Sequence, residues 1–138
     1  MCDCPPSFEE RFALNQACVE LGKPMVEAAM YGMEGPLTTL VPGETPCLAC
    51  LVPEKPAWWH PLGFPVLGAV SAALGCLAAV EAVKVLTGFG EPVKGQMLHY
   101  DATAMDFMKS AVQRRRDCPV CGHLWSASLE TTSCGHDG

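Results

Sequence analysis

Cys47-Leu48-Ala49-Cys50 and Cys118-Pro119-Val120-Cys121-Gly122 are the residues of this chain best suited to chemistry. Two C-x-x-C pairs supply four thiolates, the number that closes a tetrahedral shell around a structural Zn²⁺ at about 2.3 Å each. Two intervening residues let one tight turn present both sulfurs to one ion. Gly122 is expected in a left-handed conformation, so that amides of the second turn point at sulfur. The pairs are much further apart than in a zinc finger, so the metal would clip two remote segments together. Four thiolates leave no open position, and the ion would be structural rather than catalytic. Free thiols that happen to be paired, or a redox dithiol, are the competing readings.

The chain has nine cysteines, an odd number, and its N-terminus shows neither a basic n-region nor an apolar h-region. A secreted disulfide scaffold would want an even count and a signal peptide, so a reducing, cytoplasmic setting is expected and paired cysteines read first as metal ligands. Cys18 and Cys76 fall on helical patterns and are expected in the core. Cys2, Cys4 and Cys134 lie near the ends, and none of these five has a neighbouring His that would mark an activated nucleophile. Trp58-Trp59-His60 reads as a loop folding its aromatics onto the body, with a partner-binding patch as the alternative. His99 alternates with Leu98 and Tyr100 as an ordinary strand histidine. There is no G-x-G-x-x-G, no Walker loop, no G-x-S-x-G and no H-E-x-x-H.

The elements that must position the cysteines are legible. Ser7-Phe8-Glu9-Glu10 has the form of a capping box. Phe8, Phe12, Leu14, Cys18 and Leu21 then recur at helical spacing, which predicts a helix over about 8–21 ending at Gly22. Residues 25–29 and 37–41 read as short strands. A long irregular stretch, 44–65, holds Cys47, Cys50 and the two tryptophans, and a loop of that length is usually functional. A helix over about 66–87, stopped by Thr87-Gly88, precedes strands at 95–101 and 106–112, expected as an antiparallel pair. The order is α/β, but it opens on a helix rather than on a strand feeding a phosphate-binding turn. The chain reads as the back half of such a fold.

Composition narrows the function. At 138 residues the chain fits one domain, and 49% hydrophobic against 17% charged residues excludes disorder. Fifteen acidic against nine basic residues give a net charge of −6, which argues against a nucleic-acid partner. The run from Leu62 to Val80 carries no charge and raises the question of a membrane span. Pro65 shortens the helical part to Val66–Val80 before Glu81, roughly 22 Å against a hydrocarbon core of about 30 Å. A core helix packed on a sheet is therefore expected, and no membrane partner.

These motifs, taken together, resemble the second half of the ThiF/MoeB/HesA enzymes, relatives of the ubiquitin-activating E1 proteins. The resemblance runs through Asp3-Cys4-Pro5-Pro6-Ser7-Phe8, Arg11, Leu14-Asn15, Cys18 and Gly22-Lys23-Pro24, and on to Gly32-Met33-Glu34-Gly35, Pro46-Cys47, Cys50-Leu51 and Val66-Leu67-Gly68. Glu81 to Gly88, Tyr100-Asp101 and Cys118-Pro119-x-Cys121-Gly122 complete it in the family's order. It implies the C-terminal part of a Rossmann-like doubly wound E1/ThiF fold, with the nucleotide-binding half absent from these residues. Residues 1–122 would be the family region and 123–138 a flexible polar tail.

The resemblance also implies a function. Family members use ATP to adenylylate the C-terminal glycine of a ubiquitin-like sulfur-carrier protein. Here Cys47, Cys50, Cys118 and Cys121 match the family's structural zinc, and the stretch 44–65 would help to cradle the carrier's tail. ATP and Mg²⁺ would bind only with a nucleotide-binding N-terminal half, and a homodimer or a separate N-terminal half is the expected assembly, with no nucleic-acid partner. Two departures bear on this. In the family's Asp-x-x-Asp-Asn motif Asp3 fits the first place, but Pro6 stands for the second Asp and Ser7 for the Asn, and proline cannot ligate Mg²⁺. Pro61, beside His60, stands where some members carry a sulfur-transfer cysteine. The expectation is an adenylyltransferase part inactive on its own; the alternative is a non-catalytic, zinc-stabilised module that binds a ubiquitin-like carrier or a dimer partner.

Overall fold

The computed structural model describes residues 1–3, 5–60 and 63–125. Cys4, Pro61, Cys134 and the expected tail from 126 onward lie outside the described residues. Helix α1 (Phe8–Glu20) starts where the capping box puts it: the Ser7 Oγ accepts from the Glu10 amide at 3.3 Å and donates to the Glu10 carboxylate at 2.6 Å. Strands β1 (Met25–Ala28) and β2 (Glu34–Leu40) follow, then a single turn of helix, α2 (Leu48–Leu51). Helix α3 (Gly68–Thr87) ends on Gly88 in the left-handed conformation, and strands β3 (Gln96–Asp101) and β4 (Asp106–Ala111) form the hairpin that the sequence suggests.

The strands bear out an α/β fold with one sheet, and the doubly wound arrangement that the resemblance implies is not displayed among them: the order is β1-β2-β3-β4 and all three ladders are antiparallel. Parallel strands need a crossover of a dozen or more residues, whereas β1 and β2 are joined by only the residues 29–33, so they must run antiparallel. Parallel pairing among the described residues is confined to two isolated bridges, Cys2 with Val26 and Gly32 with Val66. Cys2 thus lies along the free edge of β1, held by the Val26 amide on the Met1 carbonyl and the Asp3 amide on the Val26 carbonyl, each at 2.8 Å.

Helices nonetheless cover both faces, because alternate residues of a strand point opposite ways. Val26 and Leu37 pack with Val70, Leu74 and Ala78 of α3 on one face. Met25 and Leu40 pack with Cys18 of α1 and Leu48 of α2 on the other. Gly35 is required between sheet and α3, since a Cβ there would sit 2.1 Å from the Ala29 carbonyl oxygen and 2.4 Å from Leu74 Cδ1. Helix α3 is less buried than expected. It buries the stripe Val70, Leu74, Ala78 and Glu81, while Val80, Val83 and Leu86 are exposed. Cys76 is exposed too, because it lies roughly 200° around the helix from Leu74. By length and composition alone α3 is apolar enough to cross a membrane, yet one side of it is committed to the sheet.

Glu81 fixes that commitment. Its carboxylate accepts from Thr39 Oγ1 of β2 at 2.8 Å, from the Val93 amide at 2.7 Å and from Lys84 Nζ at 2.7 Å. Burial opposes ionisation, but the Lys84 ammonium, the Val93 amide and the Thr39 hydroxyl outweigh it and hold the carboxyl below its ordinary value of 4.5. Between the two values the unfolded chain binds more protons, so this stabilisation is complete above pH 4.5 and is lost as pH falls through the folded value. Glu81→Gln should therefore destabilise by about 1–3 kcal/mol at neutral pH. In denaturant melts the gap between the two proteins should narrow steadily below pH 4.5.

Candidate metal centre and adjoining cleft

Cys47 precedes α2 and Cys50 lies on it; Cys118 and Cys121 belong to a turn that follows β4 at the far end of the described chain. All four are buried, and their sulfurs lie within 4.8 Å of one another. Cys47 Sγ is 4.0 Å from Cys50 Sγ and 3.6 Å from Cys118 Sγ, and Cys50 Sγ is 3.4 Å from Cys121 Sγ. A tetrahedral ion with metal–sulfur bonds of about 2.3 Å sets its ligand sulfurs about 3.8 Å apart. The cluster fits a Zn²⁺-sized ion, and the two remote turns meet as the spacing suggests.

The electrostatics agree with that fit. Burial pushes the Cys47 thiol up to about 11 and the Cys121 thiol higher still. Burial acts on Cys118 in the same direction, but the amides of Cys121 and Val120 and the Cys50 and Cys47 thiols pull it down to about 7. The Cys118 thiolate is thus favoured while Cys47 and Cys121 are held protonated; a divalent ion would ionise all four ligands. Gly122 differs from expectation. It is not left-handed; glycine is needed because a Cβ would meet the Cys118 carbonyl oxygen at 2.6 Å. Beyond it, residues 123–125 form a helical turn, and Arg114 stacks on the Trp125 ring at 4.3 Å.

A second feature lies beside α1. Arg11 donates through Nε to Asp3 Oδ2 at 2.7 Å and through Nη2 to Glu27 Oε1, so one guanidinium bridges two buried carboxylates. Desolvation raises the Asp3 carboxyl above its usual range against the pull of Arg11. The sequence names Asp3 and Arg11 only as parts of a motif; Glu27 was missed, and a charge within a buried strand is the signal that points to it. Asp3 and Arg11 border a cleft of about 450 Å³ lined also by Pro6, Trp59, Phe64 and Gly75. Trp59 packs edge-on against Phe8 at 5.2 Å and stacks with Phe64 at 6.3 Å, while Trp58 meets Tyr31 at 5.1 Å and stays exposed. The loop does fold its aromatics onto the body. His99 sits on β3, exposed and opposite Met108.

Protein purified without added metal should contain about one equivalent of zinc by elemental analysis, and Cys118→Ser should reduce it to background. Full zinc in that variant would refute the ligand set.

Comparison with known proteins gives the same frame. Residues 1–120 match the ThiF family. The heterocyst protein HesA of Trichormus variabilis is 53% identical over 141 residues, covering 97% of this chain and 52% of its own length. The sulfur carrier protein adenylyltransferase of Thermus thermophilus is 40% identical over 131 residues, covering 87% of this chain and 47% of its own length. The crystal structure of E. coli MccB with ATP superposes with a TM-score of 0.69 at 18% identity, over 88% of this chain and 39% of that one, a likeness of fold. The chain spans about half the length of the curated relatives it matches. With the match extending over residues 1–120, this chain belongs to the ThiF family.

Proposed function

We propose that this chain is the carrier-facing part of an E1-like adenylyltransferase that uses ATP and Mg²⁺ to activate the C-terminal glycine of a ubiquitin-like sulfur-carrier protein. The observation that carries this reading is the 40% identity, over 131 residues, to a relative named for that activity. A carboxylate is a poor electrophile. Its attack on ATP expels pyrophosphate and leaves an acyl-adenylate, a mixed anhydride that a thiol or persulfide can open.

The cleft suits the binding half of that task. Its lining combines the small Gly75, Ala78 and Ala79 of α3 with the aromatic Trp59 and Phe64, an apolar surface suited to an extended tail with little side-chain bulk. Arg11 is engaged by Asp3 and Glu27, so it shapes the cleft rather than presenting a free cation to phosphate. Zn²⁺ held by Cys47, Cys50, Cys118 and Cys121 would supply cross-linking only. Chemistry on ATP needs backbone amides and cations aimed at the phosphates. Residues 1–138 hold no glycine-rich turn, and Pro6 lines the cleft where the family has a Mg²⁺ carboxylate. Adenylylation then requires a nucleotide-binding half, in a longer chain or a separate subunit, in the cytoplasm. Pro6 also favours the second reading, a zinc-stapled module that holds a carrier or dimer partner without chemistry.

ATP–pyrophosphate exchange with a panel of ubiquitin-like carriers separates these readings. Residues 1–138 alone should give no exchange above background, and exchange that appears on adding the nucleotide-binding half of a HesA relative would identify the chain as one half of a split enzyme that works without a carboxylate at Pro6. Exchange by the isolated chain would overturn the division of labour. Carrier binding with no exchange in any mixture would establish the module instead.

A further inference from the structure

We infer that Asn15 is a positioning residue for the four-cysteine centre, directing a hydrogen-bond donor at the sulfurs of Cys47 and Cys121 through a single buried water. The inference rests on the metal reading above. Asn15 lies on α1, is 2% exposed, and belongs to neither C-x-x-C pair. Its Oδ1 accepts from the Leu48 amide at 2.9 Å, across thirty-three residues of sequence. Leu48 follows Cys47 directly and opens α2, so this bond ties one ligand turn to α1. Only an oxygen can accept from a backbone N–H, which settles the orientation of the carboxamide. Its other end, Nδ2, is then a donor, and it is buried with no hydrogen-bond partner among the described residues.

An orphaned buried donor of this kind calls for an explanation. Asn15 shares a pocket of about 10 Å³ with Cys47, Cys121 and Thr45, and a space of about that size holds one water. A divalent ion in four thiolates leaves two net negative charges in a buried place, and such charge demands N–H donors. Cys47 and Cys121, two of the four ligand residues, line the same small pocket as this donor without an acceptor.

The test uses the full chain loaded with Co²⁺ and with Zn²⁺. Asn15→Asp keeps the acceptor for Leu48 and removes the donor, while Asn15→Leu removes both. Both variants should lose Zn²⁺ to a chromogenic chelator about 10–100-fold faster than the parent. Their sulfur-to-Co²⁺ charge-transfer bands should move to lower energy, because a thiolate that has lost a donor is easier to oxidise; a role in tethering Leu48 alone would leave the Asn15→Asp band unmoved. Variants with native circular dichroism, parental release rates and unmoved bands would overturn the inference while leaving the metal reading intact. A parent chain with no tetrathiolate Co²⁺ spectrum would overturn both. Should neither variant fold, the unmodified Zn²⁺ protein decides: an Overhauser contact between the Asn15 side-chain amide protons and a long-lived water supports the inference, and its absence refutes it.

Discussion

The meeting of Cys47 and Cys50 with Cys118 and Cys121 is the contact on which the rest of this structure depends. The chain leaves the sheet at β4, a strand exposed along its whole length, and must return to the α1 side of the molecule. Few apolar groups are there to hold it: the cluster that receives it consists of the four cysteines with Val19 and Ala49, flanked by Val120 and Leu124. Helix α2 has four residues, far too few to persist alone. Four buried thiols whose sulfurs lie 3.4–4.0 Å apart at their bridging contacts repel one another once ionised and are costly to desolvate. A divalent cation would turn that liability into a covalent-like clip between remote segments.

The clip and the cleft are connected through α1. One side of that helix reaches the cysteines through Asn15 and Val19. Near its start, Phe8 and Arg11 line the cleft. Arg11 in turn binds Asp3, which precedes the helix, and Glu27 on β1, so the entry of the chain, the helix and the sheet edge share one ion cluster. Removing Arg11 from such a buried cluster would leave two carboxylates without a counter-charge, at a cost of several kcal/mol. On the opposite face Glu81 does equivalent work for α3, joining it to Thr39 and Val93. The helices that wall the cleft are therefore held to the sheet by two buried charge clusters.

Local signals made much of this legible. Ser7 and Glu10 mark the start of α1, Gly88 marks the end of α3, and the C-x-x-C spacing singles out the four sulfurs that come together. What remained hidden depends on where distant segments meet. The antiparallel run of the sheet could have been read from the short link between β1 and β2, but the likeness to doubly wound proteins pointed the other way. Cys76 looked internal because α3 is apolar all round, and no periodicity distinguishes the side that faces the sheet. Gly122 was assigned the usual reason for a turn glycine, whereas its own reason is steric, the nearness of the Cys118 carbonyl. The pairing of Arg11 with Glu27, or Asn15 with Leu48, leaves no trace in the order of residues.

The central claim is that four sulfurs and nothing else hold one zinc ion. X-ray absorption at the zinc edge of the purified protein tests it most directly. Four sulfur scatterers at about 2.3 Å, with no nitrogen or oxygen in the first shell, are the predicted result. A mixed shell with shorter nitrogen or oxygen distances, or fewer than four sulfurs, would contradict it.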